Sequence, residues 1–497
     1  MMTPWYWHPY FWAVVKILIM VGFLVNVGGL LTWYDRRGGA MMQDRIGPNR
    51  AGLIIGKFQL RIAGLLHTAA DGVKFFTKED FMPPKADKLL FSLAPMLAMI
   101  PVFALLAVIP FGDTLSTDLL WKKICIVKEG VPAFLPAADG SCISPLTKQL
   151  VPEAHLQLVF PAAQRTVISQ GSVPIDLAVA PLNVGILFVF AMAGQGIVGA
   201  AIAGWSSDNK FSLMGALRAA SQMVSYEVTM GLTLIGAFMI YGTVRLDEMV
   251  RWQGDNCWGI FVQPFAFVLF FAAATAESKR IPFDLPEAES ELVSGYFTEY
   301  SGMKFGMFYF AEYAEVVTSS MLITIIFLGG WTLPFLHRDG LTIAFGDSVL
   351  FPAAGMSPAV TSKMPHIWVE IIGVVAFFGK TLVICWIQAF IRWSLPRFRY
   401  DQLMKLGWTV LLPASLANIF ATGIVYLALQ SGGESTQKSL KLAADITQGL
   451  VAATLTGLAV WLAIGLLRPR ANATAIIGSS AKLAAAAGGA KEGPIEA

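Results

Sequence analysis

About nine stretches of roughly twenty apolar residues constrain this chain more than any other feature in it. They fall near 12–33, 89–111, 177–203, 221–243, 258–276, 309–333, 367–392, 404–429 and 447–468. Hydrocarbon offers backbone N–H and C=O groups no partner, so such stretches are satisfied only as helices. The expected fold is an all-α polytopic membrane protein. Composition agrees: the 497 residues are 56% hydrophobic and 14% charged, whereas a soluble domain carries about 25% charge. There is no Walker loop, dinucleotide glycine motif or internal repeat, so this chain is not expected to bind a nucleotide. Cys125, Cys142, Cys257 and Cys385 have no CxxC spacing, which argues against a zinc or iron–sulfur site in this chain.

The placement of Lys and Arg sets the expected orientation. Segment 34–88 carries Arg36, Arg37, Arg45, Arg50, Lys57, Arg61, Lys74, Lys78, Lys85 and Lys88. The positive-inside rule makes it cytoplasmic and puts the N-terminus outside. Alternation then places 204–220, 277–308, 393–403 and the tail inside, and 112–176 outside. Cys125 and Cys142 in that outer segment read equally as a pair or as free thiols. Trp5, Tyr6, Trp7, Tyr10, Phe11 and Trp12 read as an aromatic interface belt.

Between two of the spans lies an acidic stretch, 277–315. It carries Glu277, Asp284, Glu287, Glu289, Glu291, Glu299, Glu312 and Glu315, out of 33 acidic residues in the whole chain. A carboxylate at membrane depth costs about 2.5–3.5 kcal/mol on insertion scales, so a cluster of them points to function. The alternative is a solvated acidic loop. Against it, the acids continue into apolar sequence, where Glu312 follows Phe308–Ala311. Glu227 raises the same question within the fourth span. It reads either as a desolvated proton-exchanging carboxyl or as a side chain snorkelling to the interface beside Arg218.

Within 34–88, residues 56–76 place Phe58, Ile62, Leu65, Leu66, Ala69 and Val73 at helical spacing, with Arg61, His67, Asp71 and Lys74 between them. This predicts an amphipathic helix lying in the interface, or one that merely packs beside the membrane. Ahead of it, Gly47-Pro48-Asn49 is a turn signal flanked by Arg45 and Arg50. These arginines could hold a polar ligand or only anchor the loop. Residues 1–430 read as the core, 431–470 as a linker with an extra span, and 471–497 as a disordered tail.

Two motifs carry a family resemblance. One is Asp35-Arg36-Arg37 with Gln43-Asp44-Arg45-Ile46-Gly47-Pro48-Asn49-Arg50 and Ala70-Asp71-Gly72-Val73-Lys74-Phe75-Phe76. The other runs from Glu277-Ser278-Lys279-Arg280-Ile281-Pro282-Phe283-Asp284-Leu285-Pro286 to Tyr296, followed by Glu299-Tyr300 and Ala311-Glu312-Tyr313. With these the chain resembles the quinone-site membrane subunit of respiratory complex I, the H subunit in bacteria and subunit 1 of mitochondrial NADH dehydrogenase. The resemblance covers about 10–430, interrupted by 112–176.

The resemblance implies a subunit that lines the access tunnel for a lipid-soluble quinone and starts the acidic path coupling quinone reduction to proton pumping. Arg36, Arg45, Phe58, Ala69, Asp71, Lys74 and Arg280 would line the tunnel. Glu227, Glu277, Asp284, Glu287, Glu289, Glu291, Glu299 and Glu312 would be the proton-coupling acids. FMN and iron–sulfur clusters would sit in partner subunits, with quinone as the substrate and no cofactor held by this chain. The partners implied are cluster-bearing and quinone-site peripheral subunits, small membrane subunits and antiporter-like subunits, in a bacterial inner membrane. The usual Glu-Thr-Asn-Arg of the family stands here as Glu277-Ser278-Lys279-Arg280, which adds a cation beside the acids. His67-Thr68 replaces a common Gln-Pro. Two rivals are the related membrane subunit of a proton-pumping hydrogenase, which shares Pro-Phe-Asp-Leu-Pro-Glu-Ala-Glu, and a stand-alone cation/proton antiporter.

Overall fold

A computed structural model of the chain describes residues 9–49, 51–55, 58–60, 64–116, 125–126, 132–136, 142–143, 174–286, 293–334, 336–337, 340–343, 360–363, 366–431, 443–444, 446–457 and 460. In order, the helices are α1 Pro9–Met42, α2 Leu66–Thr77, α3 Lys88–Val108, α4 Gly185–Ser206, α5 Lys210–Tyr241, α6 Leu246–Asp255, α7 Gly259–Val262, α8 Pro264–Glu277, α9 Gly302–Phe327, α10 His366–Ser394, α11 Tyr400–Lys405 and α12 Leu412–Ser431. A π-helical turn, Leu406–Leu411, joins α11 to α12. Strands are confined to short antiparallel pieces of two to five residues, so the fold is all-α, as expected.

Seven described helices are long and apolar enough to cross a membrane: α1, α3, α4, α5, α9, α10 and the run Tyr400–Ser431. The fifth expected span differs. It breaks at Gln263 into α7 and the 14-residue α8. Pro264 is the cause: a proline disfavours helical backbone in the residue before it, and Gln263 sits at φ −137° and ψ 64°. Of the ninth expected span, residues 446–457 are helical and most of the rest lies outside the described residues. Most of the expected linker, and the tail, lie outside them too.

The expected helix over 56–76 is also corrected. Leu53–Ile55 and Phe58–Leu60 form an antiparallel hairpin with Leu53 opposite Leu60. The helix begins only at Leu66, after Gly64 takes φ +90°. A cluster of β-branched and aromatic residues ahead of a left-handed glycine favours a hairpin over a helix start. Within 112–176, Thr114–Ser116 pairs with Pro174–Asp176, and Pro132–Pro136 pairs with both Cys125–Ile126 and Cys142–Ile143. The side chains of Cys125 and Cys142 lie outside the described ones.

Helix ends follow from local chemistry. Asp87 caps α3 by accepting from the Leu89 N–H at 3.0 Å, and Asn209 caps α5 by accepting from the Phe211 N–H at 2.9 Å. The helices then approach through small residues, as apolar helices do when packing alone holds them together. A Cβ on Gly199 of α4 would lie 2.7 Å from the Ala98 backbone nitrogen of α3. At the other seam, a Cβ on Gly215 of α5 would lie 2.6 Å from the Gly295 Cα. That second contact seats the acidic connection between α8 and α9 directly on α5.

The turn after α9 is tied to α10 by a separate polar set. Lys380 of α10 donates to the carbonyls of Leu328, Gly330 and Thr332 at 2.7, 3.0 and 2.7 Å, with its ammonium 4.2 Å from the Trp258 ring centroid. These carbonyls belong to the turn that follows α9, whose helix ends at Phe327.

Candidate functional site: a buried charge cluster around α9

Helix α9 is the frame of the site. Its apolar window is 83% buried, against 17–50% for the other six spanning helices. Whatever α9 carries is therefore held inside the protein. It presents Tyr309, Glu312, Tyr313 and Val316 on one stripe at helical spacing, with Glu315 beside them. Around it, α1 supplies Asp35, α5 supplies Glu227, α8 ends in Glu277, and α10 supplies Gln388 and Arg392.

The connection after α8 is fixed to this frame. Gln222 of α5 is fully buried, and its Nε2 donates to both the Ala276 and Phe283 carbonyls at 2.7 Å. From the other side, the Phe398 N–H donates to the Pro282 carbonyl at 3.0 Å, and Arg397 Nη2 donates to Asp284 Oδ2 at 2.7 Å. Phe283, Asp284 and Leu285 are buried as a result. Lys279 closes α8 in the left-handed region at φ +55°. That conformation usually falls to glycine and costs another residue about 1–2 kcal/mol. Here it turns the ammonium inward, so that Lys279 Nζ lies 3.2 Å from Glu315 Oε1. Burial alone would push the Lys279 ammonium down, but Glu315 and Glu312 outweigh it and hold its pKa above the usual lysine range.

A second network centres on Asp35. Tyr313 donates to Asp35 Oδ2 at 2.8 Å, Arg392 is paired with the same oxygen, and Arg280 Nη1 stands 3.7 Å away. Arg280 lies flat against Tyr313, 3.7 Å from the ring centroid, and its Nη2 is 3.9 Å from Glu312 Oε2. Tyr296 donates to Glu312 Oε1 at 3.3 Å, and the Tyr309 and Tyr313 hydroxyls are 3.2 Å apart. Glu277 interacts electrostatically with Glu315 and Glu227. The Glu227 carboxylate faces Gly194 of α4, where a Cβ would be 3.5 Å from Oε1. Five carboxyl groups (Asp35, Glu227, Glu277, Glu312 and Glu315) and three cations (Lys279, Arg280 and Arg392) thus make up the group, with Glu227 joined to it through Glu277.

Two small cavities flank the group. One of about 50 Å³ is lined by Met223, Met230, Glu277, Ser278, Glu315 and Thr318, among others. The other, of about 30 Å³, is lined by Asp35, Thr275, Ser278, Arg280, Gln388 and Arg392, among others. A single water needs only about 10–15 Å³ of such space.

Of the acids singled out from the sequence, Glu227, Glu277 and Glu312 come together here. Asp284 is ion-paired to Arg397 in the neighbouring loop. Glu299 accepts from Asn209 Nδ2 at 2.7 Å and lines a different, open cleft with Lys85 and Lys210. Glu287, Glu289 and Glu291 lie outside the described residues. The tunnel set is dispersed. Arg36 and Asp71 form a 2.6 Å ion pair between α1 and α2. Arg45, Ala69 and Lys74 are exposed, and the Phe58 side chain lies outside the described ones. Arg280 belongs to the Asp35 network. Sequence reasoning counted Glu315 in the acidic stretch but left it out of the proton-coupling acids, and it did not single out Gln388 or Arg392. Glu315 carried a signal, being an acid three residues past Glu312 in an apolar run. Gln388 and Arg392 carried none, because only the packing of α10 against α1 and α9 brings them in. Among the described residues, no cluster of His, Cys, Asp or Glu could hold a metal ion.

These features define a polytopic helical membrane protein built around a buried, mixed-charge group. A family model described as NADH dehydrogenase matches residues 15–133 and 150–423. Among named relatives, the H subunit numbered 1 of the NADH-quinone oxidoreductase of Cytophaga hutchinsonii is 37% identical over 396 residues, covering 80% of this chain and 91% of that protein. The H subunit numbered 2 from Geobacter metallireducens is 38% identical over 416 residues, covering 84% and 96%. The H subunit from Flavobacterium psychrophilum is 39% identical over 396 residues, covering 80% and 91%. The chain belongs to the NADH dehydrogenase family, alongside the H subunits of the NADH-quinone oxidoreductases.

Proposed function

We propose that this chain is the membrane subunit of a proton-translocating NADH-quinone oxidoreductase that borders the quinone path and starts proton transfer. The observation that carries the reading is the buried group of five carboxyls and three cations, walled by α1, α5, α8, α9 and α10 and flanked by cavities. Like charges held close together out of water do not all ionise at once, so the group can share and pass protons. Two electrons delivered to a quinone create negative charge, and nearby carboxyls respond by taking up protons. Glu227, Glu277, Glu312 and Glu315 are the acids in position to respond. Asp284, in its ion pair with Arg397, anchors the connection between α8 and α9.

Helix α2 supports an entrance beside this group. Thr68, Asp71 and Phe75 share the face that meets α1 and α9, through Gly29, Arg36 and Phe305. Val73 and Phe76, 63% and 75% exposed, face away. An outward apolar face suits an interfacial helix under which a lipid-soluble quinone enters. On this reading FMN and iron–sulfur clusters belong to peripheral partner subunits, and the chain sits in a bacterial inner membrane with its N-terminus outside. Residues 1–430 form its working core.

The test is pumping by the assembled complex in sealed vesicles. Glu227→Gln and Glu277→Gln are expected to lower proton uptake per quinone reduced. Wild-type pumping in both variants would overturn the proton-coupling role. An assembly that reduces no quinone at all would overturn the reading as a whole.

A further inference from the structure

The two cavities beside the charge cluster share one wall residue, Ser278. It is 3% exposed, and its hydroxyl donates to the Thr275 carbonyl at 3.0 Å. On one side of it lie Glu277 and Glu315. On the other lie Asp35, Arg280 and Arg392. Each cavity also contains polar atoms that the described residues leave without a hydrogen-bond partner. Gln388 is 7% exposed, and neither its Nε2 nor its Oε1 is paired, although it lines the smaller cavity. Glu315 Oε2 is unpaired on the side of the larger one. Buried amides and carboxylates almost always have partners. Both cavities exceed the volume of a single water site.

We propose that the smaller cavity is a water site organised by Gln388, and that the Ser278 hydroxyl passes protons between it and the carboxyl-lined cavity. This rests on the proton-coupling reading above and assigns that path two residues. In the transfer step, a hydronium on one side gives its excess proton to the serine oxygen and is left as water, while the hydroxyl's own proton leaves to a water or to the Glu315 carboxylate on the other. Each of these two transfers breaks one O–H bond and forms one, and the serine ends neutral and rotated. The residue fits the task because a hydroxyl both donates and accepts, whereas the backbone and apolar side chains around it do one or neither. Gln388 is a positioning residue: its amide donates through Nε2 and accepts through Oε1, which orients water towards Ser278 without an added charge.

The test uses the assembled complex in sealed vesicles, reading quinone reduction, proton uptake per turnover and the solvent deuterium isotope effect. Ser278→Ala is expected to slow turnover at least about tenfold, below the 10²–10⁴ that a positioned proton-transfer group supplies, and to enlarge the isotope effect. Ser278→Thr should restore both. Gln388→Leu should reproduce the alanine phenotype, and Gln388→Glu should not. Ser278→Ala within twofold of wild type with an unchanged isotope effect overturns the proposal. So does a threonine variant as impaired as alanine, because packing alone would then explain the loss. A Glu277→Gln control separates the levels. If it loses coupling while Ser278→Ala does not, only the relay fails; if neither loses coupling, the proton-coupling reading fails with it. Should Ser278→Ala not assemble, an experimental map of the wild-type complex decides. Ordered waters joining Gln388 to Ser278 support the relay, and a dry cavity overturns it.

Discussion

Lys279 reaches across from the end of α8 to Glu315, three residues beyond Glu312 on α9, and the two charges meet at 3.2 Å with side chains only 5% and 16% exposed. The sequence places a cation beside the acids. The structure shows which acid it serves, and that acid is not a neighbour in the chain.

Removing one member of a buried pair leaves the other charge uncompensated, at a cost of about 3–5 kcal/mol, whereas removing both is often neutral. Lys279→Met is therefore expected to lower the thermal inactivation temperature of the solubilised complex, and Lys279→Met combined with Glu315→Gln should recover most of it. A strictly additive loss in the double variant would show that the two charges are not coupled. The pH dependence has a definite sign. A lysine whose folded pKa is raised contributes fully below its unfolded value of about 10.4, and that contribution fades only as pH rises through the folded value. Raising the pH through the folded value should therefore shrink the stability difference between wild type and Lys279→Met, and a difference that grew on the alkaline side would count against the pair.

Gly215 is the contact on which the acidic connection rests. A leucine there meets the Gly295 backbone, which cannot yield as a flexible side chain does. Overpacking of this kind costs about 1–3 kcal/mol. Gly215→Leu should insert normally, increase protease cleavage between 284 and 296 and reduce quinone-dependent turnover. Unchanged cleavage with full activity would show that the loop is held elsewhere.

Lys380 bears on the far end of α9. Its three carbonyl acceptors lose their donor in Lys380→Met, and each unmet group costs about 1–3 kcal/mol. The variant should unfold several degrees below wild type in detergent, and Lys380→Arg should fall between them. Equal stability of all three would show that the carbonyls find other donors.

Quinone entry beneath α2 has its own readout. A tryptophan at Ala69 should slow long-tailed quinones more than short-tailed analogues, measured as kcat/KM for each. Equal slowing of both would argue against a passage there.

Much of the fold was legible because apolar runs of helical length have few alternatives. The exceptions have local causes. Pro264 broke the fifth span, and Gly64 with the hairpin before it shortened the interfacial helix. The site was legible along the chain but not across it. Glu277, Arg280 and Glu312 stood out as charges in apolar sequence, and the same logic picked out Glu299, which sits in an open cleft. Gln388 and Arg392 gave no such sign. An amide and an arginine near a helix end are ordinary until α1 and α9 close over them.

Glu315 is the thirteenth residue beyond the start of the 26-residue α9, so it lies about 20 Å from either end at 1.5 Å per residue. A helix spanning an apolar layer about 30 Å thick would hold such a residue near mid-depth. A charge crossing the whole layer gains or loses about 2.3 kcal/mol per 100 mV, so on the proposed reading a proton reaching Glu315 would cross about half of that. The occupancy of this one carboxyl would then respond directly to membrane voltage, and the cluster would register the electrical load against which the complex works.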